Sequence, residues 1–128
     1  PYFENDQLSK NELKNLARHQ DSLSVQQLFK FVHQNLSDKG SFFVVYPNDL
    51  KELIINVSQE NCLQLSSELR LIHKGNINRV CLEFVKRNVS KINSIELSIR
   101  NSNGDYTLNY IDLTKSFHLS DLRKQLSI

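Results

Sequence analysis

Three glycines in 128 residues, none set in a GxGxxG or P-loop pattern, leave no phosphate cradle to argue for. The two cysteines, Cys62 and Cys81, stand apart, with no CxxC and no histidine at ligand spacing. They read as reduced thiols of a cytosolic protein, with a disulfide or a metal site as the alternative. No apolar run approaches the roughly 20 residues that span a bilayer, so no membrane association is expected. The first residues are polar and acidic rather than basic then apolar, and no signal peptide is expected either. No Ser/His/Asp arrangement, carboxylate pair or metal-ligand cluster stands out. His19, His33, His73 and His118 are scattered and read as surface or capping residues, and Asp38, Asp49 and Asp112 as helix ends and turns.

What is present suits one modest α/β domain over residues 1–128. Ser24 and Gln27 form a capping-box signature ahead of an apolar stripe at helical spacing: Val25, Leu28, Phe29, Val32 and Leu36. Gly40 is placed for a left-handed helix stop. Ser41–Tyr46 is continuously apolar after its first residue and predicts a strand buried on both faces. Pro47 ends it, Asn48 can cap a second helix with Leu50, Leu53, Ile54 and Val57 as its stripe, and Asn61 closes that helix. Helix, strand and helix together make a piece of a layered α/β sheet.

On either side the pattern is plainer. A fair amphipathic helix is expected from about Asp6 to Arg18. Leu69–His73 and Val80–Lys86 read as an antiparallel hairpin around the turn chemistry of Lys74-Gly75-Asn76-Ile77-Asn78. Ile95, Leu97 and Ile99 alternate as a further short strand, and Asn101-Ser102-Asn103-Gly104-Asp105 is a strong turn signal. Beyond it, Tyr106, Leu108 and Tyr110 fit a return strand, while Thr107 equally fits the cap of a helix. Net charge is +2, but Arg70 to Lys91 carries six basic residues against Glu83 alone. That concentration suits a polyanion. It equally suits a solvated strand edge, where lysines discourage pairing.

Pro1-Tyr2-Phe3, Ala17-Arg18-His19, Gly40-Ser41-Phe42-Phe43-Val44-Val45-Tyr46-Pro47 and Gly104-Asp105-Tyr106-Thr107, taken in order, resemble the bacterial tRNA(Val) adenine-N(6) methyltransferases. These are class I S-adenosylmethionine-dependent enzymes that modify the adenine beside the anticodon. The resemblance makes Pro1 and Tyr2 the end of an Asn-Pro-Pro-Tyr/Phe motif whose Asn and first Pro precede residue 1. It implies that the chain is the C-terminal half of a Rossmann-like sheet ordered 3-2-1-4-5-7-6, supplying strands five (Ser41–Tyr46), six (Leu69–His73) and seven (Val80–Lys86). It also favours a helix after Thr107. The S-adenosylmethionine site is then expected in the N-terminal half, which becomes a partner of this chain, and the isolated chain is expected to be inactive.

The implied chemistry accounts for the residue types. A target adenine turned out of its stack needs a flat π face, which Tyr2 would supply. The motif's Asn side chain and Pro carbonyl would accept hydrogen bonds from the exocyclic amine, so catalysis is mainly orientation of bound reactants. Phe3, Arg18 and His19 are expected beside the substrate, the last two alternatively forming a helix-end salt bridge and cap. Lys74, Arg79, Lys86 and Arg87 are the candidates for tRNA phosphate contacts, which position without reading sequence. A methyltransferase of rRNA adenine, DNA adenine or protein glutamine shares the motif, and a non-catalytic RNA-binding module would need only the basic hairpin.

Overall fold

The computed structural model describes residues 24–118. The expected helix before Arg18, the motif residues Pro1, Tyr2 and Phe3, and the stretch after His118 lie outside the described residues. So do Arg18 and His19.

Helix α1, residues 24–35, places Val25, Phe29 and Val32 in the core and leaves Leu28 and Phe31 partly in solvent. Strand β1 follows (Ser41–Pro47), then a 3-10 turn (Asn48–Leu50) running into α2 (Lys51–Glu60). Next come β2 (Gln64–His73), β3 (Asn76–Val85), β4 (Asn93–Ser98) and α3 (Leu108–Thr114), which ends in a short 3-10 turn. Among the described residues the result is an α/β fold, a four-stranded mixed sheet with three helices.

The sheet order is β1-β3-β2-β4. β3 runs antiparallel to both of its neighbours, and β4 lies parallel to β2. β1, β2 and β4 therefore point the same way, and their carboxyl ends share one end of the sheet. The pairing register sorts the side chains by face. Phe42, Val44 and Tyr46 share a face with Phe84, Leu82 and Val80, and α1 and α2 cover it. There Phe29, fully buried, meets Phe42 and Phe84 edge-on at 5.6 and 5.1 Å. Ile54, Val57, Leu63 and Leu65 complete the core.

Three local expectations are corrected. β1 is not buried on both faces: Phe43 and Val45 are 68% and 60% exposed. Apolarity on both faces of a strand implies a cover on both, and among the described residues only one face of β1 has its helices. Gly40 does not take a left-handed φ, which among the glycines belongs to Gly75 and Gly104. It is small for space instead, since a Cβ there would lie 2.8 Å from Leu36 Cδ1 and 2.9 Å from Ser37 Oγ. Asn48 makes no side-chain cap; it opens the 3-10 turn, and α2 begins behind Leu50 without a capping side chain.

The strands run longer than the sequence pattern suggested. β2 begins five residues earlier than Leu69, with a bulge between Leu65 and Ser67. Asn61 does close α2, and the chain then turns through Cys62 at φ 57°. Cys62 N–H donates to Gln59 O at 3.0 Å and Leu63 N–H to Ser58 O at 2.8 Å. This is a Schellman motif with cysteine where glycine is usual.

Candidate nucleic-acid interface

The structure divides the four basic candidates into two pairs. Lys74 stands at the tip of the β2–β3 turn, with Lys74 and Gly75 both at positive φ (49° and 79°). His73 pairs with Asn76 across it, so the turn is a two-residue type I′ hairpin. Arg79 is exposed near the start of β3, opposite Pro47 and Leu71. Lys86 and Arg87 follow the far end of β3, roughly 23 Å away at the rise of an extended strand. Lys74 and Arg79 thus sit at the carboxyl ends of the parallel strands, the end at which open α/β sheets hold their ligands. Lys86 and Arg87 sit at the opposite end.

The Lys74 end carries more than sequence reasoning found there. Ile99 N–H donates to Ile72 O at 3.4 Å, so the chain leaves β4 beside the β2–β3 turn. It then makes the expected tight turn. Asn101 Oδ1 accepts from the backbone N–H groups of Asn103 and Asp105, both at 3.0 Å, and Gly104 supplies φ 88°. Arg100 and Tyr106 pair across the turn. The Arg100 guanidinium donates through Nη1 to Gly104 O at 2.6 Å and lies 4.0 Å over the Tyr106 ring. Tyr110 stacks on Tyr106, at 5.0 Å between centroids and 18° between planes, and His118 tilts against Tyr110 at 6.4 Å.

The choice left open after Asp105 resolves as a helix. Thr107 Oγ1 accepts from Tyr110 N–H at 3.2 Å, as a helix cap does, and donates to Ser98 O at 2.5 Å. Tyr106 and Tyr110 are spaced four apart, a helical interval, but Tyr106 precedes the cap. Period alone did not predict their stacking, because it depends on how the turn enters α3.

Two carboxylates have definite electrostatic settings. Glu68, 9% exposed, meets Lys51 Nζ at 2.5 Å and accepts from Ser94 Oγ at 2.7 Å. Burial by itself pushes its carboxyl up, but Lys51, Ser94 and Arg70 together outweigh that and hold it below its ordinary value. Arg70 continues the chain of charges to Glu96 at 3.2 Å. Glu83 is held low by the hydroxyls of Ser41, Ser66 and Ser67. The Cys81 thiol is pushed up by burial. These settings join elements of the fold. Among the described residues there is no group of three His, Cys, Asp or Glu side chains able to hold a metal. Nor is any described helix long and apolar enough to cross a membrane.

An α/β sheet with basic and aromatic side chains at the carboxyl ends of its parallel strands is the setting in which the sequence comparisons fall. The chain is 31% identical over 122 residues to the tRNA1(Val) (adenine(37)-N6)-methyltransferase of Pseudoalteromonas translucida, covering 93% of this chain and 52% of that protein. It is 29% identical over 121 residues to the protein of the same name from Bacteroides thetaiotaomicron, covering 93% and 51%. It is 30% identical over 123 residues to that of Bacteroides fragilis, again covering 93% and 51%. No protein-family model matches the chain. The resemblance read from the motifs is borne out: the chain is a homologue of proteins named tRNA1(Val) (adenine(37)-N6)-methyltransferase. It spans about half the length of the curated relatives it matches.

Proposed function

We propose that the chain is the C-terminal, substrate-side half of a cytoplasmic S-adenosylmethionine-dependent methyltransferase that modifies the exocyclic amine of a tRNA adenine beside the anticodon. The observation that carries this reading is the similarity to enzymes of that name over 93% of the chain. The sheet supports it in a second way. The order β1-β3-β2, with β3 antiparallel to both, fits strands five, seven and six of the class I methyltransferase sheet. The outer edge of β1, unpaired among the described residues, lies where strand four would add.

The cofactor's methyl group is what such an enzyme transfers, but the described residues do not fit the cofactor. Gly40 packs against Leu36 and Ser37, while Gly75 and Gly104 serve exposed turns, so none of the three glycines opens a cradle. The S-adenosylmethionine site belongs to the preceding half in this reading. What this chain contributes is orientation. Tyr2, closing the Asn-Pro-Pro-Tyr motif begun upstream, stacks on the extruded adenine, with Phe3 beside it. Arg18 and His19 border the cleft. Lys74 and Arg79 take phosphate at the carboxyl ends of the strands, while Lys86 and Arg87 form a separate basic pair at the far end.

The test expresses the chain with the sequence contiguous with it upstream and measures transfer of labelled methyl to tRNA. Tyr2→Ala should lower the rate about 5- to 150-fold, the worth of one base–aromatic stack. Methyl transfer to rRNA, DNA or protein glutamine but not to tRNA would move the reading to a sister class. RNA binding without any transfer would leave a non-catalytic module.

A further inference from the structure

We propose that the outer face of the Arg100 guanidinium is a stacking seat for one unpaired nucleobase of an RNA substrate, next to a phosphate contact at Lys74. The proposal rests on the reading of the chain as RNA-directed and adds to it a second base-binding position, on the opposite side of the sequence from Tyr2.

The seat is built before any ligand arrives. Arg100 is exposed, yet its guanidinium is held by two contacts: Nη1 donates to Gly104 O at 2.6 Å, and the Tyr106 ring centroid lies 4.0 Å from Cζ. Tyr106 is fixed in turn by Tyr110, stacked at 5.0 Å. The turn that carries Arg100 and Tyr106 is closed by Asn101, whose side chain accepts two backbone N–H groups. Thr107 ties the far side to Ser98 and caps α3. Guanidinium and two rings thus pack in series, at 4.0 and 5.0 Å, and a base on Arg100 would extend the series by one. Unstacked bases in RNA loops are held in this way, on aromatic rings and arginine planes, whereas a base stacked inside a helix has both faces covered by its neighbours. Tyr106 carries both Arg100 and Tyr110 against its ring, so Tyr106 is a positioning residue and Arg100 makes the contact. The position fits the role, since the chain leaves β4 beside the turn that presents Lys74.

The test uses the chain with its contiguous upstream sequence and a fluorescein-labelled, unstructured RNA heptamer. A set of heptamers, each with one base removed, completes the probes. Anisotropy titrations at several salt concentrations should show one abasic position that weakens binding about 5- to 150-fold, the range for a single stack. Arg100→Lys keeps the charge and loses the plane. It should lose that factor on the intact heptamer, keep the salt slope and no longer distinguish the abasic probe. Tyr106→Leu should behave alike, and Tyr106→Phe should bind as the parent. Should a variant unfold, cross-linking of 4-thiouridine heptamers to the unaltered protein gives the second readout, with adducts expected within residues 100–110. Equal binding of intact and abasic heptamers by the parent, or adducts only elsewhere, overturns the seat. Neither readout uses methyl transfer, so loss of the methyltransferase reading and loss of the seat are separately visible.

Discussion

Lys51, the first residue of α2, reaches Glu68 in the middle of β2 at 2.5 Å, and Glu68 is nine-tenths buried. The pair ties the start of α2 to the sheet, and Ser94 on the edge strand holds the other carboxylate oxygen at 2.7 Å. One carboxylate therefore joins a helix, a central strand and β4.

The first prediction follows from that junction. Glu68 and Glu83 are both held below their ordinary values when folded. A depressed folded value contributes stability that is present above the unfolded carboxylate range, near 4.3, and is lost as pH falls through the folded value. Stability should thus be flat from neutrality to about pH 5 and fall below it. Glu68→Gln should cost roughly 1–3 kcal/mol at pH 7, since Lys51 is partly solvated and is not left as a fully buried charge. It should also flatten the acid limb. Urea midpoints at pH 7 and pH 3.5 check both statements, and an unchanged acid limb would count against the junction.

Cys62 occupies the left-handed position of the Schellman motif at φ 57°, where a Cβ is strained. Glycine removes the strain but is freer in the unfolded chain, so the two effects partly cancel. Cys62→Gly should stabilise the fold by about 0.5–1 kcal/mol, and Cys62→Val should weaken it. Thermal unfolding under reducing conditions reads the difference.

Lys74 poses the opposite choice between stability and binding. A type I′ turn prefers asparagine ahead of glycine, and Lys74 holds φ 49° with a side chain that gains nothing from it locally. Backbone strain of this kind, kept at an exposed turn tip, points toward function. Lys74→Asn should raise stability by up to about 1 kcal/mol while reducing the salt slope of RNA binding by about 1. A more stable variant with an unaltered slope would return Lys74 to a solvated turn.

Much of this was legible in the chain itself, and where it was not the reason is physical. The β1 segment, the β2–β3 hairpin and the β4 segment follow from local apolar pattern and turn residues. The bulge at Leu65/Ser67 was not legible, because Leu65, Leu69 and Leu71 keep one alternating track in the sequence while the extra residue turns Leu65 to the core and Leu69 to the other face. The helix after Thr107 competes locally with a strand, and the contact that decides it, Thr107 to Ser98, spans two elements. Arg100 over Tyr106 was invisible for the same reason: it depends on a turn that brings residues six apart into register. The split of the basic residues into two pairs follows from extended length, which a count of charges ignores.

Phe43 and Val45 carry the last prediction. They lie on the face of β1 opposite the core, and pairing sets Val45 beside Cys81, Cys81 beside Leu69 and Leu69 beside Ile95. The row is apolar across all four strands and ends on exposed residues, Val45 at 60% and Ile95 at 55%. Exposed apolar surface next to an unpaired strand edge favours association. In the isolated 128-residue chain, Phe43→Lys with Val45→Lys should leave stability within about 1 kcal/mol of the parent and shift sedimentation toward monomer. In the chain with its contiguous upstream sequence, the same pair should destabilise by roughly 3–6 kcal/mol, because covering each side chain is worth about 1.5–3 kcal/mol. Equal effects in the two proteins would count against a cover for this face from the proposed N-terminal half.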